Sequence, residues 1–339
     1  MKAVQLTRIG QALETREVSI ERLGPSDVLV EVRAAGICHS DVHYRRGPRS
    51  VSEVPMTLGH EVAGVIAGVG ESVDRSRIGD RVCLHYQTAC TACRLCVTGF
   101  DQFCEQGRML GRSRPGGYAE QIVVPSRNAV VLPDGISFEH GAVMMCSSAT
   151  SLHALRRARL QPGDSVAVFG AGGLGMSAIQ LATALGAGTV YAIDIDPSKL
   201  RTAEALGAVA IDADPSTGRN LAAEGGVDVA LDLVGLPQTM RGAIEALGIG
   251  GRAVSVGISE RPIEIVPFLD LAMREATVTG VADHHLADIV FLLDLAVAGA
   301  IDLTEVVTET VDLDASVIND VMDRLEDNRG PIRAVIVPR

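Results

Sequence analysis

Apolar and polar residues alternate along Asp27-Val-Leu-Val-Glu-Val-Arg33, the period of a half-buried strand. The first 35 residues read as short strands and turns. Gly116-Gly117-Tyr118-Ala119-Glu120 reads as a turn, and Ile122-Val-Val-Pro125 as the strand it feeds. Ser137, with Glu139 close behind, marks the N-cap of a helix running toward Cys146. From Ser165 the pattern changes to short, mostly apolar runs separated by helical segments. Runs at Ser165–Phe169, Thr189–Ile193, Ala208–Ile211, Val227–Val234, Arg252–Val256 and Ala276–Gly280 read as strands. Helices are expected from the Gly170–Gly175 turn to about Leu185, over Pro197–Leu206, and over Thr239–Leu247. Strands alternating with helices imply a doubly wound parallel sheet. Beyond about residue 283 come a helix over 286–298, another near 315–327, and a strand at Ile332–Val337.

With 339 residues the chain is long enough for two domains, each with its own core. At 47% hydrophobic residues it is no disordered chain. A net charge of −12 argues against nucleic-acid or anionic-membrane partners. The N-terminus is charged by Arg8 and lacks a long apolar run, so no signal peptide is expected. No stretch offers the ~18 apolar residues that a membrane helix needs. A cytoplasmic protein is the expectation. Seven cysteines, four of them within fifteen residues, suit metal binding better than a disulfide framework.

The chemistry-bearing residues fall in a few places. Cys90-x-x-Cys93-x-x-Cys96 followed by Cys104 supplies four thiolates, enough to close a tetrahedral zinc site with no position for substrate; an iron–sulfur cluster is the alternative. Gly36-Ile37-Cys38-His39-Ser40-Asp41-Val42-His43 puts a thiol, a hydroxyl and an imidazole within one turn if a helix starts there. Gly59-His60-Glu61 opens a glycine-rich run, Gly59–Gly70, whose glycines point to close packing and tight turns. Gly170-Ala-Gly172-Gly173-Leu174-Gly175 follows a strand and opens a helix, the setting in which a Gly-x-Gly-x-x-Gly run holds a dinucleotide pyrophosphate. Asp194 ends the next strand, nineteen residues past Gly175. A carboxylate there accepts both ribose hydroxyls and repels a 2′-phosphate, which favours NAD over NADP. Lys199 is placed to reach the same ribose, unless it is simply a solvated helix residue.

Gly59-His60-Glu61-x-x-Gly64, five residues, Gly70, two residues, Val73 resembles the zinc signature of the medium-chain, zinc-containing alcohol dehydrogenases. The segment Gly36–His43, the order and spacing of the four clustered cysteines, Gly116–Glu120 and Cys146–Leu155 resemble the same family. By itself Cys146, in an apolar helix, would read as core; the resemblance makes it the third ligand beside Cys38 and His60. Two sulfurs and an imidazole suit a Zn²⁺ with one position left open. The resemblance implies a Rossmann-type doubly wound sheet plus a discontinuous, GroES-like, mostly-β catalytic domain. The expected division is catalytic 1–147, NAD-binding 148–283, and a return to the catalytic domain over 284–339. It further implies alcohol oxidation with hydride transfer to NAD, the open zinc working beside the nicotinamide. Ser40 and His43 would relay the released proton, and Glu61, behind the zinc, would tune its charge or exchange as a ligand. Asp41 would orient His60, Thr150 would flank the nicotinamide, Tyr86 would wall the substrate pocket, and Arg333 would meet the cofactor pyrophosphate. Cys90, Cys93, Cys96 and Cys104 would hold a structural zinc, and Cys83 would be core. A homotetramer or homodimer joined through the sheet edge near 276–281 is implied as well. Polyol or threonine dehydrogenases share these features, and a non-catalytic zinc- and NADH-binding redox sensor is the reading from another class. Asp283-His284-His285 departs from the family pattern; it reads as a solvated helix start, with a third metal site as the alternative.

Overall fold

The alternation at Asp27–Arg33 belongs to a longer strand, Asp27–Ile37, around which the first part of the chain is assembled. The computed structural model describes residues 1–47, 51–327 and 329–338. It divides into two units, one of Met1–Cys146, His285–Val297 and Leu303–Arg339, the other of Ser147–His284 and Ala298–Asp302. Among the described residues no helix is long and apolar enough to cross a membrane.

In the first unit, Asp27–Ile37 pairs antiparallel with Glu61–Val69, Gln121–Pro125 and Arg333–Ile336. Its even-numbered valines, Val28, Val30 and Val32, point into a core with Ile66, Val82, Ile122 and Val124. The helix Ala315–Glu326 adds Ile318, Val321 and Met322, spaced to lie on one helical face. Register places Gly36 opposite both Glu61 and Val335, so three strand ends meet where Cys38, His60 and Arg333 stand. Two readings are corrected here. The glycine-rich run after His60, expected to make turns, is mainly the strand Glu61–Val69, because Val62, Ala63 and Ile66 bury against its neighbours. The strand Val307–Val311 was not anticipated; it alternates Val, Thr, Glu, Thr, Val and pairs parallel with Arg333–Ile336.

The second unit carries a six-stranded sheet in which each neighbouring pair is parallel. In spatial order the strands are Val209–Asp212, Val190–Asp194, Val166–Phe169, Val227–Asp232, Leu247–Ser255 and Thr277–Gly280. Numbered along the chain this is 3-2-1-4-5-6, the Rossmann order, with its switch point beside the first strand. Val166–Phe169 is buried along its whole length, as its unbroken apolar run requires. Leu247–Ser255 begins five residues earlier than its apolar run suggests, because Gly248, Gly250 and Gly251 hide the pattern. The helix Thr217–Ala223 was also missed, having only Leu221 as a large apolar anchor.

Candidate active site and metal centres

A helix, His39–Arg46, starts immediately after Cys38, which is its N-cap. The Cys38 N–H donates to Asp41 Oδ2 at 3.0 Å, and the Tyr118 hydroxyl donates to the same oxygen at 3.0 Å. Asp41 Oδ1 lies 3.4 Å from His60 Nδ1. His60 is buried, with the rings of Tyr86 and Tyr44 set edge-on to it at 5.2 and 6.4 Å between centroids. Among the described residues neither of its ring nitrogens makes a hydrogen bond, and Asp41 Oδ1, though close, makes none. Cys146 sits in a π-helical turn, Met144–Ser148, that follows the helix Phe138–Val143, itself N-capped by Ser137. Such widened turns recur at functional sites because they push one side chain out of helical register.

One ligand atom from each of Cys38, His60, Glu61 and Cys146 lies within 4.8 Å of the others, and all four residues are buried. A hydrogen bond from Cys146, helped by Arg333 and His60, holds the Cys38 thiol well below its ordinary pKa despite burial. That same bond, together with burial, pushes Cys146 well up. Burial opposes a charge on His60, yet the Asp41 carboxylate beside it raises its pKa well above the usual imidazole range. Two sulfurs converging with a buried imidazole nitrogen that has no other partner are a donor set that zinc takes.

Glu61 is the fourth member of this group. Its side chain crosses Gly36, where a Cβ would lie 2.0 Å from Glu61 Oε2. Burial pushes its carboxyl up to about 8, against the pull of Arg333. Arg333, expected to meet a cofactor pyrophosphate, is turned to Glu61 instead: its Nη2 lies 3.1 Å from Glu61 Oε1, and its side chain is only 5% exposed. Ser40 and His43 lie on the helix His39–Arg46, both partly exposed, with Ser40 Oγ 3.8 Å from Cys38 Sγ. Tyr86, expected to wall a pocket, is buried with its ring against His60.

The clustered cysteines converge as well. Sulfur–sulfur separations are 3.8 Å for Cys90 and Cys96, 3.5 Å for Cys93 and Cys96, and 3.9 Å for Cys93 and Cys104. The Cys90 N–H points at Cys104 Sγ (3.2 Å) and the Cys93 N–H at Cys90 Sγ (3.3 Å), as donors suited to anionic sulfur. Four sulfurs at this density fit a closed tetrahedral zinc. Cys83 is buried and its thiol is pushed up to about 12 by burial.

In the second unit, Gly172 caps the helix Gly173–Ala184. A Cβ on Gly175 would lie 2.0 Å from the Gly170 carbonyl oxygen, so the turn closes only with glycine there. Asp194 Oδ2 accepts the Ala171 N–H at 2.7 Å and Oδ1 accepts the Asp196 N–H at 3.0 Å, which pins the carboxylate to the glycine turn. Lys199 is partly buried on the helix Pro197–Ala205. Thr150 lies on the helix Ala149–Arg157, which is fastened to the glycine-turn helix by Ser151 Oγ donating to the Leu174 carbonyl (2.8 Å) and by the Ser148–Ser177 hydroxyl pair (2.9 Å). The solvated helix start expected at residues 284 and 285 is corrected. His284 is fully buried, with Nδ1 3.4 Å from Thr150 Oγ1, and His285 Nδ1 meets Asp101 Oδ1 at 3.0 Å.

Residues 24–134 match the family model described as the alcohol dehydrogenase GroES-like domain, and residues 173–295 the one described as zinc-binding dehydrogenase. The chain belongs to the zinc-containing alcohol dehydrogenase family. Among relatives of this family, a NAD-dependent alcohol dehydrogenase of Sulfurisphaera tokodaii is 32% identical over the full length of both chains (100% of each). A sorbitol dehydrogenase of Bacillus subtilis is 34% identical, covering 91% of each chain. The solved alcohol dehydrogenase of a Thermus species superposes with a TM-score of 0.89 at 31% identity, covering 100% of both chains. The fold is therefore that of an alcohol dehydrogenase: a Rossmann-type sheet with a β-rich, GroES-like unit. Reading the sequence missed Tyr44 beside His60 and Tyr118 beside Asp41. The one available signal was Gly116-Gly117 before Tyr118, which announces close packing without saying against what.

Proposed function

We propose that this chain is a zinc-dependent oxidoreductase that reversibly oxidises a primary or secondary alcohol to an aldehyde or ketone, with NAD as hydride acceptor. The observation that carries the reading is the buried convergence of Cys38, His60 and Cys146. Cys38, His60 and Cys146 hold the catalytic zinc, and Cys90, Cys93, Cys96 and Cys104 the structural one. Bound zinc supplies a Lewis acid that acidifies an alcohol, and NAD supplies the hydride acceptor. Asp41 fixes the His60 ring by its Nδ1 side and leaves Nε2 for the metal. Glu61 and Arg333 meet in a buried contact that tunes the charge around the ligands. Ser40 Oγ would accept the substrate hydroxyl proton while releasing its own toward His43, which hands it to solvent, since an imidazole titrates near neutrality. Backbone N–H groups at Gly172, Gly173, Leu174 and Gly175, beside Gly170 at the start of a helix, would hold the cofactor pyrophosphate. Asp194 accepts the ribose hydroxyls with the lone pairs its two backbone donors leave, with Lys199 near the same ribose. Thr150 flanks the nicotinamide, and Tyr86 shapes the substrate end through His60.

The relative named sorbitol dehydrogenase favours a polyol as the second reading. NADH formation measured with a panel of simple alcohols, vicinal diols, sugar alcohols and threonine separates the two. Turnover with simple alcohols supports the first reading, and turnover confined to polyols supports the second. No turnover with any substrate, despite two bound zincs, would leave the redox-sensor reading.

We also place the enzyme in the cytoplasm as a homotetramer or homodimer. All seven cysteines are free, and thiolate ligands persist in a reducing compartment. The strand Thr277–Gly280 is an edge of the parallel sheet, and a second copy can extend the sheet there. Light scattering of the purified chain reads the subunit number, and a monomer would refute this assembly.

A further inference from the structure

We propose that Tyr118 is a positioning residue of the catalytic zinc centre, its phenol fixing the Asp41 carboxylate that orients His60. This rests on the reading of His60 as a zinc ligand. Tyr118 is fully buried, and its hydroxyl lies 3.0 Å from Asp41 Oδ2 and 3.5 Å from the Gly36 carbonyl oxygen. Both neighbours are acceptors, so the phenol stands there as a donor. Asp41 Oδ2 also takes the Cys38 N–H at 3.0 Å. With two donors on one oxygen the carboxylate is held in its plane, and its other oxygen is left facing His60 Nδ1.

The ring is anchored as firmly as the hydroxyl. It lies over Gly59, the residue before His60, where a Cβ would come within 2.3 Å of Tyr118 Cδ1. Gly59 has φ +94°, a backbone conformation that side chains resist. The Tyr118 N–H donates to the Leu58 carbonyl at 3.0 Å, and the Tyr118 carbonyl accepts the Val4 N–H at 2.8 Å. One side chain therefore sets both the backbone that delivers His60 and the carboxylate that turns its ring. Partners behind metal ligands commonly change metal affinity by roughly 10–100-fold when removed. Tyr118 acts one bond further out, so the lower end of that range is expected.

The test uses zinc-loaded Tyr118→Phe, which keeps the ring and deletes the donor. Zinc release to a chromophoric chelator is followed against wild type, and the visible absorption of the cobalt-exchanged protein is recorded. The four-cysteine site is an internal reference, and its zinc and the melting temperature report that the variant is folded. Release from the catalytic site is expected about tenfold faster, with a shifted cobalt band and unchanged release from the four-cysteine site. In an Asp41→Ala background, the same Tyr118→Phe change should alter release less than about twofold, because the acceptor it acts on is gone. Equal release from wild type and Tyr118→Phe would overturn the proposal, as would an equal factor in both backgrounds. A wild-type chain that binds only the four-cysteine zinc would overturn the His60 assignment and this proposal with it.

Discussion

Cys90, Cys93, Cys96 and Cys104 lie within fifteen residues, and three of them stay partly exposed, whereas Cys38, His60 and Cys146 come from three distant segments and are all buried. The clustered site is local. Its four sulfurs are brought together by one loop whose own N–H groups point at them. The dispersed site exists only once the sheet has formed, because the ends of Asp27–Ile37 and Glu61–Val69 and a π-helical turn each deliver one ligand. A closed site filled by its own loop contributes folding energy. A site assembled late, with its fourth protein group turned to Arg333, can keep a position for substrate.

The comparison breaks most sharply at the dispersed site. Cys38→Ser is expected to lower kcat/KM by at least about 10³-fold, roughly 4 kcal/mol, while NADH binding stays within a few-fold of wild type. Steady-state kinetics and NADH fluorescence titration check it, and full retained activity would count against Cys38 as a ligand. Arg333→Met should cost roughly 1–3 kcal/mol in denaturant unfolding, because it leaves the buried Glu61 carboxyl without its neighbour. Adding Glu61→Gln to that variant should return part of the loss; no recovery would mean that the two residues are not paired.

At the clustered site the sign of the effect reverses, with stability hurt more than chemistry. Cys93→Ser is expected to lower the melting temperature by about 10 °C, on a scale of a few degrees per kcal/mol, with turnover per folded molecule within about threefold of wild type. A normal melting curve would remove the structural role. Asp194→Gly should reduce the preference for NAD over NADP about tenfold in kcat/KM, and an unchanged ratio would argue against its place on the ribose.

The smallest effect expected is in acid. Asp270 accepts two bonds from Arg241 and the Val266 N–H, and the Arg241 contact holds its carboxyl below the ordinary range. A depressed folded-state pKa means that the stabilisation is complete above the unfolded carboxylate pKa and fades as pH falls through the folded one. The stability gap between wild type and Asp270→Asn should therefore be constant near neutrality and shrink below about pH 4. A gap that grows in acid would contradict it.

Much of this was legible in the chain. The apolar runs from Ser165 onward and the glycine turn defined the parallel sheet, because its central strands Val166–Phe169 and Val227–Asp232 are buried almost throughout and carry a self-contained pattern. The four-cysteine site was legible for the same reason, since spacing alone carries it. Cys146 was not: in an apolar helix it looks like core, and only the three-dimensional widening of the helix at Met144–Ser148 explains its delivery. Arg333 and Glu61 are 272 positions apart and meet across Gly36, a register that no local pattern encodes. His284 looked solvated because it opens a helix, yet it is packed against Thr150.

The most direct test is zinc content measured together with turnover in wild type and in Cys38→Ser. Two zinc ions per wild-type chain, falling to one in the variant with NADH formation lost and the fold intact, is the expected result. Two zincs and undiminished alcohol oxidation in Cys38→Ser would contradict the assignment on which the mechanism stands.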